Sequence, residues 1–189
     1  MTIPPQIKAL KDFCEAALDN NESKAVACIG SREISVRKRD FLWEIGKFIV
    51  GCAQKVCSGN AQGSDQAYAA GGNNVEPHDV ILCLPWWSYE KQAIVQGNQI
   101  FVEDRATLEE VHLAREHHPK WSSLSQGVQK LMIRNAMIII RSKLVVANLN
   151  PTKPWGGGTG HGVRIAKSLK IPVLDITHLP GEENFKEWF

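Results

Sequence analysis

The stretch SGNAQGSDQAYAAG, residues 58–71, decides how this chain is read. It follows a short strand expected over residues 55–57 and passes through two glycines, Gly59 and Gly63. It ends in small helix formers, Gln66, Ala67, Ala69 and Ala70. Small residues between an apolar run and a helix mark a tight turn, so the segment reads as strand, glycine loop, helix.

The same grammar recurs on either side. Residues 25–29, 79–84, 143–147 and 171–176 are further short apolar runs, the pattern of strands buried on both faces of a sheet. Between them, residues 35–50 carry Phe41, Leu42, Ile45, Phe48 and Ile49 at helical spacing, with Arg37, Lys38, Arg39, Glu44 and Lys47 on the other side. Helices are expected over 6–18, 122–138 and from about 160 to 169 as well. Residues 93–102 read as a hairpin or as a loop closing over a site. Five alternations of strand and helix require right-handed crossovers, which gives an α/β, doubly wound, mainly parallel sheet of five or more strands with helices on both faces. One domain is expected over 1–189, with a helical extension at 1–24 and a core at 25–176.

Composition narrows the function classes. Twenty-two basic against 20 acidic residues give a formal charge of +2, without the global field of a dedicated nucleic-acid binder. Five cysteines, Cys14, Cys28, Cys52, Cys57 and Cys83, include no C-x-x-C pair and read as reduced core thiols, so a cytoplasmic protein is expected. No apolar stretch reaches the roughly 20 residues that cross a bilayer, and no membrane partner is expected. Neither a zinc-type cluster nor a calcium loop is present in the sequence, so no metal is expected beyond a Mg²⁺ ion arriving with a phosphorylated ligand.

In an open parallel sheet, ligands bind outside the carboxyl ends of the strands. The loops there hold Gly30, Ser31 and Arg32; Ser58, Gly59, Ala61, Gly63, Ser64 and Asp65; Trp86; and Trp155 with Gly157, Gly158, Thr159, Gly160 and His161. Glycines let backbone N–H groups approach an anion, and a helix N-terminus adds partial positive charge, so both glycine loops are expected to hold phosphate. Neither is a Walker loop, because the lysine and hydroxyl that follow the last glycine there are missing. Arg32 and Arg134 offer guanidinium forks to phosphate, Asn135 adjoins the second, and His161 is placed to donate to phosphate or move a proton. Trp86 and Trp155 are candidates for stacking on a base.

The order of GSR, SG-x-A-x-G-x-D (Ser58, Gly59, Ala61, Gly63, Asp65), the pair Arg134–Asn135 and GGGTGHG resembles the SLOG superfamily over residues 25–176. That superfamily takes in the DprA/Smf and Lonely Guy (LOG) proteins. The resemblance implies a Rossmann-like fold, self-association, and a site for a nucleotide, a nucleotide-derived signal or single-stranded DNA. A helical face over 122–138 is a candidate for the self-association. The LOG enzymes cleave the base from nucleoside monophosphates with a glutamate in G-G-x-G-T-x-x-E; the matching position here is Gly162. Glycine can neither stabilise oxocarbenium-like charge nor activate water. A carboxylate for such chemistry would have to come from Asp65, Glu90, Glu103 or Asp104. Binding of a small nucleotide-type ligand is therefore the leading expectation, with N-glycosidase activity and single-strand binding as alternatives.

Overall fold

The computed structural model describes residues 3–20, 23–179 and 182–189. Six strands form one all-parallel sheet: β1 (Ala25–Gly30), β2 (Lys55–Ser58), β3 (Val80–Leu84), β4 (Gln99–Val102), β5 (Leu144–Asn148) and β6 (Val173–Asp175). Their order is β4-β3-β2-β1-β5-β6. Register runs Ala27 opposite both Cys57 and Val145, Cys57 opposite Ile81, and Leu84 opposite Val102.

Strand alternation divides the core into two layers. Ala25, Ala27, Ile29, Cys57, Ile81, Cys83, Val145 and Ala147 face α4 (Leu108–Glu116), α5 (Gln126–Ile140) and α6 (Gly157–Ser168). Val26, Cys28, Val56, Leu144 and Val146 face α1 (Pro5–Asp19), α2 (Val36–Gly51) and α3 (Ser64–Asn73), together with Phe185 and Trp188 near the C-terminus. Helices thus cover both faces, and the chain is a Rossmann-like doubly wound α/β fold. Among the described residues, no helix is long and apolar enough to cross a membrane.

Local chemistry sets the helix ends. Pro5 opens α1, where its missing N–H costs nothing. Ser35 Oγ accepts from the Lys38 N–H to start α2, and Thr107 with Glu110 forms a reciprocal capping box on α4. Gly46 and Gly71 bring α2 and α3 into backbone contact. A Cβ on Gly46 would lie 2.0 Å from the Tyr68 carbonyl oxygen, and one on Gly71 would lie 1.9 Å from that of Trp43.

Three expectations change. Residues 93–102 are neither a hairpin nor a free loop: Gln99–Val102 pairs in parallel with β3 as one of the sheet's two edge strands. Its segment QIFV is half exposed and follows the polar QGN, so it lacks the continuous apolar run that marks β3 beside it. The last helix begins at Gly157, three residues earlier than expected, because the glycine run itself supplies its first turn. Met132–Ile139 of α5 is buried, which leaves only the first two turns of that helix for any contact with a second copy.

Candidate functional site

Strand order reverses between β1 and β5, the switch point at which doubly wound sheets open a crevice. A cavity of about 400 Å³ lies there. Its walls come from four places: the end of β1 and the loop after it (Gly30, Ser31, Arg32, Glu33), the loop after β2 and the start of α3 (Ala61, Asp65), one face of α5 (Leu131, Met132, Arg134, Asn135), and the segment from β5 into α6 (Asn150, Lys153, Gly156, Gly157, Gly158, Thr159, Gly162).

Hydrogen bonds fix the loops that meet at this point. The Ser31 N–H donates to the Asn148 carbonyl at 2.8 Å. The backbone N–H and hydroxyl of Ser64 both donate to the Ser31 carbonyl, at 3.0 and 2.8 Å. Asn148 Nδ2 closes the circuit on Ser64 Oγ at 3.0 Å. Ser58 stands behind them, its buried hydroxyl donating to the Cys28 carbonyl at 2.7 Å. Gly63 has φ +86°, and a Cβ there would sit 2.3 Å from the Arg32 carbonyl oxygen, so both the turn and the close approach require glycine.

The first glycine loop already holds an anion, and it is the chain's own. Asp65 Oδ2 accepts from the Ala61 N–H at 3.4 Å and from Arg134 Nη1 at 3.0 Å. The two side chains are only 6% and 7% exposed. Burial pushes the Asp65 carboxyl up, while Arg134 and the N–H groups of Ala61 and Gly30 pull it down. Gly59 makes room for the pair: a Cβ there would lie 1.2 Å from Arg134 Nη1. Arg134 Nε is buried with no hydrogen-bond partner among the described residues.

The second glycine run is a helix N-terminus. Gly156 caps α6 without a side-chain hydrogen bond, and Gly157–Thr159 line the cavity. The first-turn N–H groups of a helix lack intrahelical acceptors and carry about half a positive charge together. Lys153 joins them at the wall, and neither Lys153 nor Arg32 enters an ion pair among the described residues. Arg32 Nη2 instead donates to the Tyr89 hydroxyl at 3.3 Å.

Of the residues expected at the site, the structure brings Gly30, Ser31, Arg32, Ala61, Asp65, Arg134, Asn135, Gly157, Gly158 and Thr159 to the cavity. Ser58, Gly59, Gly63 and Ser64 lie behind its wall as supports. Gly160 packs on the backbone of Trp155, where a Cβ would meet the carbonyl carbon at 2.4 Å. His161 points away from the cavity. Its Nε2 lies 2.9 Å from the Ala114 carbonyl oxygen, which can only accept, so that nitrogen carries the proton and Nδ1 faces the Asn135 amide at 3.5 Å. Burial pulls its basicity down to about 4, so the ring is neutral at pH 7 and works as a support for Asn135 and α4.

Neither expected stacking residue lines the cavity. Trp86 stands edge-on to Tyr89 at 5.2 Å, and the Trp155 ring carries Lys167 at 4.3 Å. Tyr89, which the sequence reading passed over, lies between the two arginines: the Arg134 guanidinium is 5.9 Å from its ring centroid. Lys153 was missed too, although a lysine between the end of β5 and the glycine run is legible in NPTKPWGGG, residues 150–158. Gly162 lines the cavity at the LOG-type glutamate position, and a Cβ there would be 3.0 Å from Ile29 Cδ1. None of the remaining candidate carboxylates, Glu90, Glu103 and Asp104, lines the cavity, and two of them are engaged elsewhere. Glu103 pairs with Lys130 at 2.8 Å, and the Glu90 carboxylate accepts from Gln92 at 2.7 Å.

Sheet order, two helical layers and a crevice at the switch point place the chain in the class of Rossmann-like doubly wound proteins. No protein-family model and no curated protein matches its sequence. A solved structure that matches is DNA processing protein A from Helicobacter pylori, described for its single-stranded DNA binding mode; it superimposes with a TM-score of 0.58 over 99% of this chain and 85% of that one, at 17% identity. That likeness is one of fold.

Proposed function

We propose that the switch-point crevice binds single-stranded nucleic acid, seating one backbone phosphate at the N-terminus of α6. One observation carries this reading: the first turn of α6, which no side chain caps, lines a single cavity together with the cationic side chains of Arg32, Arg134 and Lys153. Lys153 and Arg32 add charge at its walls, and the exposed Glu33 at the rim offsets part of it. Such a site suits a phosphodiester, which brings one negative charge and acceptor oxygens for backbone N–H groups. The exposed Trp86 and Trp87 after β3 and Trp155 after β5 supply aromatic surface at the carboxyl ends of the strands, on which bases can stack. The single-strand binding described for the structural neighbour points the same way.

Attraction of the strand here would rest on local charge, since the whole chain carries only +2. A Mg²⁺ ion would enter with the phosphate; among the described residues no cluster of three His, Cys, Asp or Glu side chains could hold one.

A cavity of about 400 Å³ also lies within the range of small-ligand pockets, which favours a free nucleotide as the second reading. Fluorescence anisotropy with a labelled hexathymidylate, competed by thymidine monophosphate, separates the two. Oligomer binding that weakens with salt and is lost in Lys153→Glu supports the proposal. Tighter binding of the mononucleotide than of the oligomer moves the conclusion to a nucleotide receptor, and release of free base from nucleoside monophosphates moves it to hydrolysis.

A further inference from the structure

A second cavity, about 510 Å³, opens between the N-terminal halves of α2 and α3, and Arg32 lines both it and the switch-point crevice. We infer that this groove is a base-binding subsite for the neighbouring nucleotide of the same strand, an inference that rests on the single-strand reading above.

The groove has the shape and chemistry of a slot for a flat ring. Ala67 and Ala70 of α3 form an alanine floor, and the half-buried indole of Trp43 on α2 forms a wall. The backbone contact of Gly71 with the Trp43 carbonyl fixes that wall. Because the two helix backbones touch, Trp43 has no room between them and its ring lines the opening. Lys47 Nζ stands over the ring, 5.3 Å from its centroid, and adds charge at the slot. Arg32, Arg39 and Gln66 contribute donors around the slot. Asp40 is close to Arg39, but at 3.6 Å and with both side chains more than half exposed the pair is screened, and Arg39 can turn to a phosphate.

Continuity makes the occupant a nucleotide chain. The Arg32 backbone is held against Gly63 between the two cavities, so a guanidinium stands where a phosphodiester linking their occupants would pass. A strand entering at α6 and leaving over α2 would set one phosphate in the crevice, one base in the slot, and Arg32 between them. Aromatic stacking is tolerant of base identity, so little sequence preference is expected.

The test compares hexathymidylate with thymidine monophosphate on wild type, Trp43→Ala, Arg39→Ala and Lys153→Ala, with a thermal melt of each variant. Trp43→Ala should weaken hexathymidylate by about 5- to 150-fold, the span expected for one lost stack, and leave the monophosphate unchanged. Arg39→Ala, an exposed change that cannot unfold the chain, should weaken the hexamer alone by a smaller factor. If both variants hold the hexamer like wild type while Lys153→Ala loses it, the slot is overturned and the crevice reading stands. If wild type binds no hexamer, both fall.

Discussion

Arg134 and Asp65, 69 residues apart in sequence, meet at 3.0 Å as a buried ion pair at the wall of the crevice. Each group alone would be an uncompensated charge out of water, so the pair is strongly interdependent. It ties the start of α3 to the middle of α5 across the site.

Replacing Arg134 by methionine should cost about 3–5 kcal/mol, because it strands the Asp65 carboxylate. The double change Arg134→Met, Asp65→Asn should recover a large part of that. Urea denaturation of the three variants checks the cycle; additive losses would show that the pair is not coupled.

The same variant carries a pH signature. Asp65 is already held above its ordinary value by burial, with Arg134 opposing the shift. A carboxyl raised in the folded state stabilises fully below its unfolded value, and that stabilisation is lost as pH rises through the folded one. Without Arg134, stability should therefore fall more steeply than in wild type as pH rises from acid to neutral.

Gly59→Ala should act through Arg134. Its methyl would lie 1.2 Å from Nη1, so the guanidinium must leave Asp65. A loss of about 2–4 kcal/mol is expected, in the range for breaking a buried pair. A melting temperature equal to that of wild type would refute this account of the glycine.

His161 predicts the opposite slope. Its folded value of about 4 lies below its ordinary 6.5, so its contribution is complete above 6.5 and is lost as pH falls through the folded value. The total is roughly 3 kcal/mol from the size of that shift. His161→Gln should flatten the stability profile between pH 7 and pH 4.

Lys153→Ala should weaken oligonucleotide binding uniformly across sequences and lower the slope of log affinity against log salt by about one, the mark of one lost phosphate contact. A titration at three salt concentrations measures it.

Much of this was legible in the sequence. β1, β2, β3 and β5 announce themselves because strands buried on both faces must be apolar throughout, as in AVACI and LVVA. β4 did not: QIFV opens on a polar residue after the polar QGN, so no apolar run marks it, whereas β6 at the other edge lies in the run IPVLDI. The glycine loops were readable as turns, but what they turn around was not. Gly59 gives no hint that it clears space for an arginine 75 positions away, and nothing in the sequence shows that Asp65 fills the first loop. Helical phase decided His161: at its position on α6 the ring meets α4 instead of the crevice.

The circuit joining Ser31, Ser64 and Asn148 has a kinetic consequence. It ties the ends of β1 and β5 to the start of α3 through the chain's own hydrogen-bonding groups, so no loop closure need accompany encounter. Ligands would meet a preformed surface at similar rates, and the choice among them would be made by how long each one stays.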